Sequence, residues 1–430
     1  MKELLRAVFA ATMAQLDPGA AMAPGLGRLR QRAAAGGRFL VLAYGKAARA
    51  MANAVLIQLP GARCRGLVVP PEPDDAPLPP FEVIAGGHPV PSAGSLRAGR
   101  RALELAKSVG RDETVLFLAS GGGSALLECA IDDAVTLTEL QSLHRALVGS
   151  GASILNINLV RKHLSAVKGG RLALAAAAAS EHVTLAINDV STPGAEWVAS
   201  APSLPGEPEL ARCLHTLDAR GLWPAVPERL RERLRAGQLP SVSKADYHTP
   251  HTAIDVANND MARRCLTRAL RHAGVHVVRD VEPAIAPFAD DCSWQAAAQV
   301  MVAQLERLRR RWPGRRTAVI AGGELSVPLP SNPGTGGRNL QFALGLARWI
   351  RGRPITALSC GTDGIDGNSP AAGAVVCGTT MARARAGGLD VHDALRRFDA
   401  FPLLHALGDA VITGPTGTNV RDLRVLVHAD

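Results

Sequence analysis

Thr114-Val115-Leu116-Phe117-Leu118-Ala119-Ser120-Gly121-Gly122-Gly123-Ser124 decides the fold class of this 430-residue chain. The run from Thr114 to Ala119 is apolar, β-rich and unbroken, as suits a strand buried on both faces. The glycines that follow end the strand and open a helix. The same unit appears upstream, where a strand predicted over 39–44 runs into Gly45-Lys46 and an Ala-rich helix over 47–59. Further strands are predicted over 66–70, 81–85 and 182–187, and Ser92 after Pro91 reads as the N-cap of a helix to about Lys107. Strands alternating with helices predict parallel sheets covered on both faces, an α/β fold.

The length calls for two cores. The expected division is a Rossmann-like α/β domain over 1–245, carrying the glycine-rich loop, and a second α/β domain over 246–430. The last segment of the second is allowed to pack back on the first. Residues 202–250, rich in Pro, Arg and Gly, read as irregular structure and short helices. Helices over 255–273 and 293–312 follow, then strands over 317–321, 355–359, 410–413 and 423–427.

With 47% hydrophobic and 20% charged residues, the composition is globular. A net charge of +10 invites nucleic acid, but the arginines are scattered and only 3% of residues are aromatic, so base stacking has no platform. Neither nucleic acid nor membrane is expected as a partner. No stretch nears the ~20 apolar residues of a membrane span, and residues 1–14 read as an amphipathic helix. Seven cysteines without a C-x-x-C pair point to reduced thiols and a cytoplasmic location. Only six of the 48 basic residues are lysine, so a lysine in a glycine turn, such as Lys46, stands out.

Six polar or glycine-rich clusters directly follow predicted strands: Gly45-Lys46, Gly86-Gly87-His88, Ser120 to Ser124, Asn188-Asp189, Gly322-Gly323-Glu324 and Gly361 to Gly367. Ligands of open α/β sheets sit at those strand ends. Ser120, Gly121, Gly122, Gly123 and Ser124 suit phosphate or carboxylate, against the alternative of a tight turn. The loop is neither a P-loop nor a G-x-G-x-x-G fingerprint. Asp189, Asp363 and Asp366 are strand-end carboxylates of the type that hold Mg²⁺ or orient a hydroxyl, although Asp in a glycine turn is often only a turn-former. Arg338, approached through Gly336 and Gly337 and followed by Asn339, has the fork to clamp a carboxylate or phosphoryl group. Glu324 reads as a metal ligand or a helix-side charge, and His88 before Pro89 as structural. Thr416 and Asn419 lie in a Gly/Thr/Asn cluster fit for a nucleotide edge, with a hairpin between 410–413 and 423–427 as the alternative.

Gly45-Lys-Ala-Ala48, Gly87-His-Pro-Val-Pro91, Ser120-Gly-Gly-Gly-Ser-Ala-Leu-Leu127, Lys168-Gly-Gly-Arg-Leu172, Gly322-Gly-Glu324, Gly336-Gly-Arg-Asn339, Gly361-Thr-Asp-Gly-Ile-Asp-Gly367 and Gly414-Pro-Thr-Gly-Thr-Asn-Val420 occur in this order. So ordered, and over nearly the whole chain, the set resembles the glycerate 2-kinases, often labelled hydroxypyruvate reductases. The resemblance implies two α/β domains with the site in their cleft, Mg²⁺ and ATP as cofactors, and D-glycerate as acceptor. It ties Lys46 and Arg338 to activity. Asp366 is the expected hydroxyl-orienting group, and Asp189, Asp363 and Glu324 the expected metal ligands. A homodimer is left open. The chain departs from the family pattern at 188–203, where a carboxylate is missing and a glycine is replaced, at Leu340, and at Cys377-Gly378. Two rivals remain: an NAD(P)-dependent hydroxypyruvate reductase and a weakened ligand-binding homologue.

Overall fold

Phe39 to Tyr44 are buried without a break, and so is every residue from Glu113 to Ala119. Strands of this kind have to lie inside a sheet with helices on both faces. The computed structural model describes residues 1–428 apart from 72, 75, 192, 193, 208 and 278–291. It contains two compact units, Pro18–Ala257 and Met1–Asp17 with Asn258–Asp430.

In the first unit β1 (Arg38–Tyr44), β2 (Arg63–Val69), β3 (Phe81–Val83), β4 (Glu113–Ala119), β5 (Glu181–Ile187) and β6 (His251–Ala257) form one sheet in the order β3-β2-β1-β4-β5-β6. Every pairing is parallel. The order reverses direction between β1 and β4, whose last residues Tyr44 and Ala119 are paired. A reversal of this kind leaves a crevice at the carboxyl ends. The residues that follow are Gly45-Lys46 and Ser120–Ser124, so two glycine turns share one crevice. The helix predicted from Ser92 is Ala93–Lys107, with a capping box between Ser92 and Ser95. A separate apolar cluster joins helices Leu137–Gly149, Ile154–Leu164, Leu210–Ala219 and Glu228–Arg235.

The second unit's sheet contains β7 (His276–Val277), β8 (Thr317–Ala321), β9 (Ile355–Gly361), β10 (Gly373–Cys377), β11 (Ala410–Val411) and β12 (Asp422–His428), in the order β11-β10-β9-β12-β8-β7. The α/β architecture is as expected, but only β7 and β8 are parallel here, and the other four pairings are antiparallel. For β9 and β10 the reason is the length of the connection: residues 362–372 between them include no helix, so no parallel crossover is available. The hairpin alternative for 410–427 is excluded, because β11 pairs with β10 while β12 lies between β8 and β9.

The units also divide elsewhere than at 245/246. Residues 251–257, His-Thr-Ala-Ile-Asp-Val-Ala, are the edge strand of the first sheet, and the expected helix starts only at Asn259 behind its cap Asn258. An edge strand needs no continuous apolar run, so this one was hidden. Helix Lys2–Leu16 belongs with the second unit, burying Leu5, Val8, Phe9 and Leu16. The chain's last strand, β12, lies inside the second sheet.

Candidate active site

Gly45 has φ +116°, and a β-carbon there would stand 2.2 Å from Ser120 Oγ, so only glycine lets the first turn fold onto the glycine loop. The Lys46 amide donates to Gly121 O at 2.8 Å and the Ala47 amide to Ser120 Oγ at 3.0 Å. The Lys46 side chain emerges exposed from this clasp. Gly122, at φ +82°, faces His88, and a β-carbon would meet its ring at 3.0 Å and Lys46 Cγ at 3.4 Å. One built on Gly121 would stand 2.0 Å from Asp189 Oδ2. Asp189 is placed by Asn188, whose side-chain amide donates to Asp255 at 3.1 Å and whose Oδ1 accepts from the Val190 amide at 2.8 Å. Thus Lys46, His88, Gly121, Gly122 and Asp189 converge. His88, structural in the sequence reading, belongs to this patch. Burial first, then the charges of Lys46 and Arg161, push its pKa down to about 4.

Beneath the loop lies a buried polar chain. Ser124 Oγ meets Ser200 Oγ at 2.8 Å, and Ser200 Oγ donates to Asn158 Oδ1 at 3.0 Å. Arg161 donates to the same Asn158 oxygen at 3.4 Å and approaches His144 Nδ1 at 3.5 Å. The far side of His144 meets Glu128 at 3.0 Å, and Glu128 pairs with Lys168 Nζ at 2.7 Å. Burial opposes the Glu128 charge, but Lys168 and His144 outweigh it and hold its pKa low. Asn158, His144, Glu128 and Arg161 escaped the sequence reading. The signal available was Glu128, a carboxylate closing the apolar run Ala125-Leu126-Leu127.

In the second unit Arg338 opens helix Arg338–Trp349. Its Nε and Nη2 grip the Asp422 carboxylate at 2.7 and 3.1 Å, and Nη2 also donates to Glu324 at 2.9 Å. Burial works against its charge, while Asp422 and then Glu324 outweigh that and raise its pKa. Asp422, fully buried and also bound by Arg424 at 2.9 Å, was not found from sequence, since its partner lies 84 positions away.

Asp366, expected to orient the hydroxyl, is placed differently: it is 2% exposed and accepts from the Asn339 amide at 3.1 Å, Asn339 Nδ2 at 3.2 Å and the Leu340 amide at 2.8 Å. It caps the helix that carries Arg338, since free amides at a helix start attract a carboxylate. Burial foremost, with Asp422 adding, raises its pKa to about 6. Gly337 leaves room for it, because a β-carbon there would stand 2.4 Å from Asp366 Cγ, while Gly336 donates its amide to Asn368 at 2.8 Å. Asp363 is half-buried on the same loop, its Oδ1 accepting from the Ile365 amide at 3.3 Å. Thr416 Oγ1 donates to Thr362 O at 2.5 Å, and Asn419 Oδ1 accepts from the Arg421 amide at 3.0 Å. Thr416 thus ties its loop to the one that carries Asp363, while Asn419 holds its own loop together.

Each unit thus carries one cluster: Lys46, Asp189 and Ser120–Ser124 in the first, Arg338, Glu324, Asp363 and Asp366 in the second. Among the described residues, no three His, Cys, Asp or Glu side chains form a ready cation cage. No helix among them is long and apolar enough to cross a membrane.

Residues 4–235 match the family described as Domain of unknown function (DUF4147), and residues 317–422 match the MOFRL family. A D-glycerate 2-kinase of Thermotoga maritima is 35% identical over 90% of this chain and 89% of its own length. A putative hydroxypyruvate reductase of Agrobacterium vitis is 35% identical over 99% of this chain and 94% of its own. The crystal structure of the Thermotoga maritima glycerate kinase superposes with a TM-score of 0.85 at 32% identity, covering 100% of this chain and 99% of that one.

Proposed function

The chain belongs to the glycerate 2-kinase family, and from that premise we propose that it transfers the γ-phosphoryl group of ATP to the 2-hydroxyl of D-glycerate or a close hydroxy acid. The observation that carries this reading is that the likeness to a D-glycerate 2-kinase spans both units, and with them both clusters. In the reaction the glycerate O2 bonds to the γ-phosphorus, the bond from that phosphorus to the ADP oxygen breaks, and the hydroxyl proton leaves.

Lys46 neutralises phosphate charge at the mouth of the crevice, where its ammonium is exposed and its backbone is fixed by Gly121. The amides around Ser120 to Ser124 orient the anion. Arg338, aimed by Asp422 and Glu324, supplies a second cation, and Asp366 acts on it by fixing the start of its helix. Asp189 in the first unit and Asp363 in the second are each a carboxylate of the kind that would hold Mg²⁺, each half-buried on a strand-end loop of its own unit. A metal that keeps waters and phosphate oxygens needs only one or two protein carboxylates, so a single such side chain beside the phosphates would suffice. When bound, the metal screens phosphate charge. All seven cysteines are free thiols, which suits a reducing compartment, and we place the protein in the cytoplasm.

The strand order of the first sheet would also suit a dinucleotide and so the reductase reading. However, the turn after β1 reads Gly45-Lys46-Ala47-Ala48, without the fingerprint that cradles a pyrophosphate. Phosphorus NMR of the purified protein with ATP, magnesium and three- and four-carbon hydroxy acids decides the matter. A phosphomonoester signal dependent on D-glycerate is expected. If no acid yields one, or if NADH is consumed with hydroxypyruvate in the absence of ATP, the kinase reading is wrong.

A further inference from the structure

We propose that Arg161 receives the carboxylate of the hydroxy acid beneath the glycine loop. The inference rests on the kinase reading and adds to it the residue that selects an acid over a neutral polyol.

Of the four buried cations among the described residues, Lys168, Arg424 and Arg161 can be compared. Lys168 is fully buried and paired with Glu128 at 2.7 Å. Arg424 is 1% exposed and is held by Asp422 at 2.9 Å and by the carbonyls of Gly322 and Gly323 at 2.9 and 3.1 Å. Arg161, 7% exposed, is the exception. Its bonds are long and go to neutral partners, Asn158 at 3.4 Å and His144 at 3.5 Å. Its Nε has no partner, and among the described residues no carboxylate lies within 4.0 Å of it. A guanidinium taken out of water is costly unless paired, so an arginine left in this state points to a partner outside the chain.

Its surroundings say what that partner is. The buried set holds two cations, Lys168 and Arg161, against one anion, Glu128. His144 and His88 add no charge at neutral pH, since burial lowers the pKa of each. One positive charge is therefore in excess, matching a monoanion better than a triphosphate. The place is also right. Asn158 and Ser200 link Arg161 to Ser124 of the glycine loop, and its charge is felt at His88, which faces Gly122 and Lys46. A planar fork with a free Nε matches a planar carboxylate, while Ser124 and the neutral His88 offer partners to hydroxyls.

The test uses the full-length protein and two variants, Arg161→Met and Arg161→Lys. In both, the KM for D-glycerate should rise about ten- to hundredfold while the KM for ATP stays put, as loss of a charged hydrogen bond to one substrate requires. The rise in melting temperature caused by D-glycerate alone should vanish in Arg161→Met, and that caused by ATP alone should persist. Arg161→Met itself should melt no lower than wild type, because an unpaired charge is removed. An unchanged glycerate KM in Arg161→Lys overturns the inference, as does loss of the ATP shift with the glycerate shift kept. A Met variant that melts several degrees lower also overturns it, since a structural ion pair would behave that way. If the wild type phosphorylates no hydroxy acid but its glycerate-induced shift still depends on Arg161, the kinase reading falls and the inference stands.

Discussion

Lys46 owes its position to backbone, not to side-chain partners. Gly45 at φ +116° lets the turn close on Ser120, and the Lys46 amide bonds to Gly121, so the ammonium is delivered without being consumed. Lys46→Ala should therefore lower kcat about a hundredfold, the usual loss for one preorganised electrostatic donor. Stability should move by no more than about 0.5 kcal/mol, as for other exposed side chains. Steady-state kinetics with calorimetry on the same variant checks both, and near-normal turnover would remove Lys46 from the mechanism. This residue was legible because lysine is scarce in the chain and the glycine turn marks a strand end. Arg161 and Asp422 were not. In so arginine-rich a sequence a buried arginine looks like a surface one, and Asp422 acquires meaning only once β12 brings it beneath Arg338.

Among the local elements, the segment around Ser200 is the most strained. Ala199, Ser200 and Ala201 have φ of 52°, 61° and 54°, a left-handed conformation that L-residues avoid. It persists because the Gly169 amide donates to Ser200 O at 3.1 Å and the Gly170 amide to Ala201 O at 2.8 Å, which sets Ser200 against Ser124. Ala201 stands where the family pattern has glycine. Ala201→Gly should relieve about 1 kcal/mol and raise the melting temperature by about 2–4 °C, read by calorimetry. A drop would show that the left-handed alanine is not strained. Elements built on apolar runs, β1, β4, β5, β8 and β9, were visible in sequence. β6, β7 and β10 were not, the first being a half-exposed edge, the second two residues long and the third a five-residue run that starts on a glycine. The antiparallel sense of β10 was hidden as well, because it depends on how long a connection is and not on the residues in it.

At the scale of the whole molecule, acid should unfold the first unit through its histidines. Burial pushes His88, His163, His182 and His251 down to about 4, against about 6.5 in an unfolded chain. Between those values the unfolded state binds protons that the native state refuses, so their stabilisation is complete above about pH 6.5 and is lost as pH falls toward 4. Asp366 has the opposite sign: raised to about 6, it binds a proton in the native state first and favours the fold as pH falls below that value. Four groups outweigh one. The melting temperature should thus decline from pH 7 to pH 4.5, and a flat or rising profile in scanning calorimetry would show that these imidazoles are not held neutral.

Helix Lys2–Leu16 buries its apolar face in the unit formed by Asn258–Asp430, packing on helix Asn259–His272 and on β9 and β10. On the ribosome that is an awkward arrangement. Residues 2–16 are translated long before 259–272, which at about 5–20 residues per second means a wait on the order of tens of seconds. During that wait Pro18–Ala257 can complete its sheet, whereas the helix ahead of it holds Leu5, Val8 and Phe9 with nothing of its own unit yet made to cover them. A nascent chain stalled before helix Asn259–His272 should therefore display a sticky amphipathic helix tethered to a finished domain, a target for chaperones that the completed protein no longer presents.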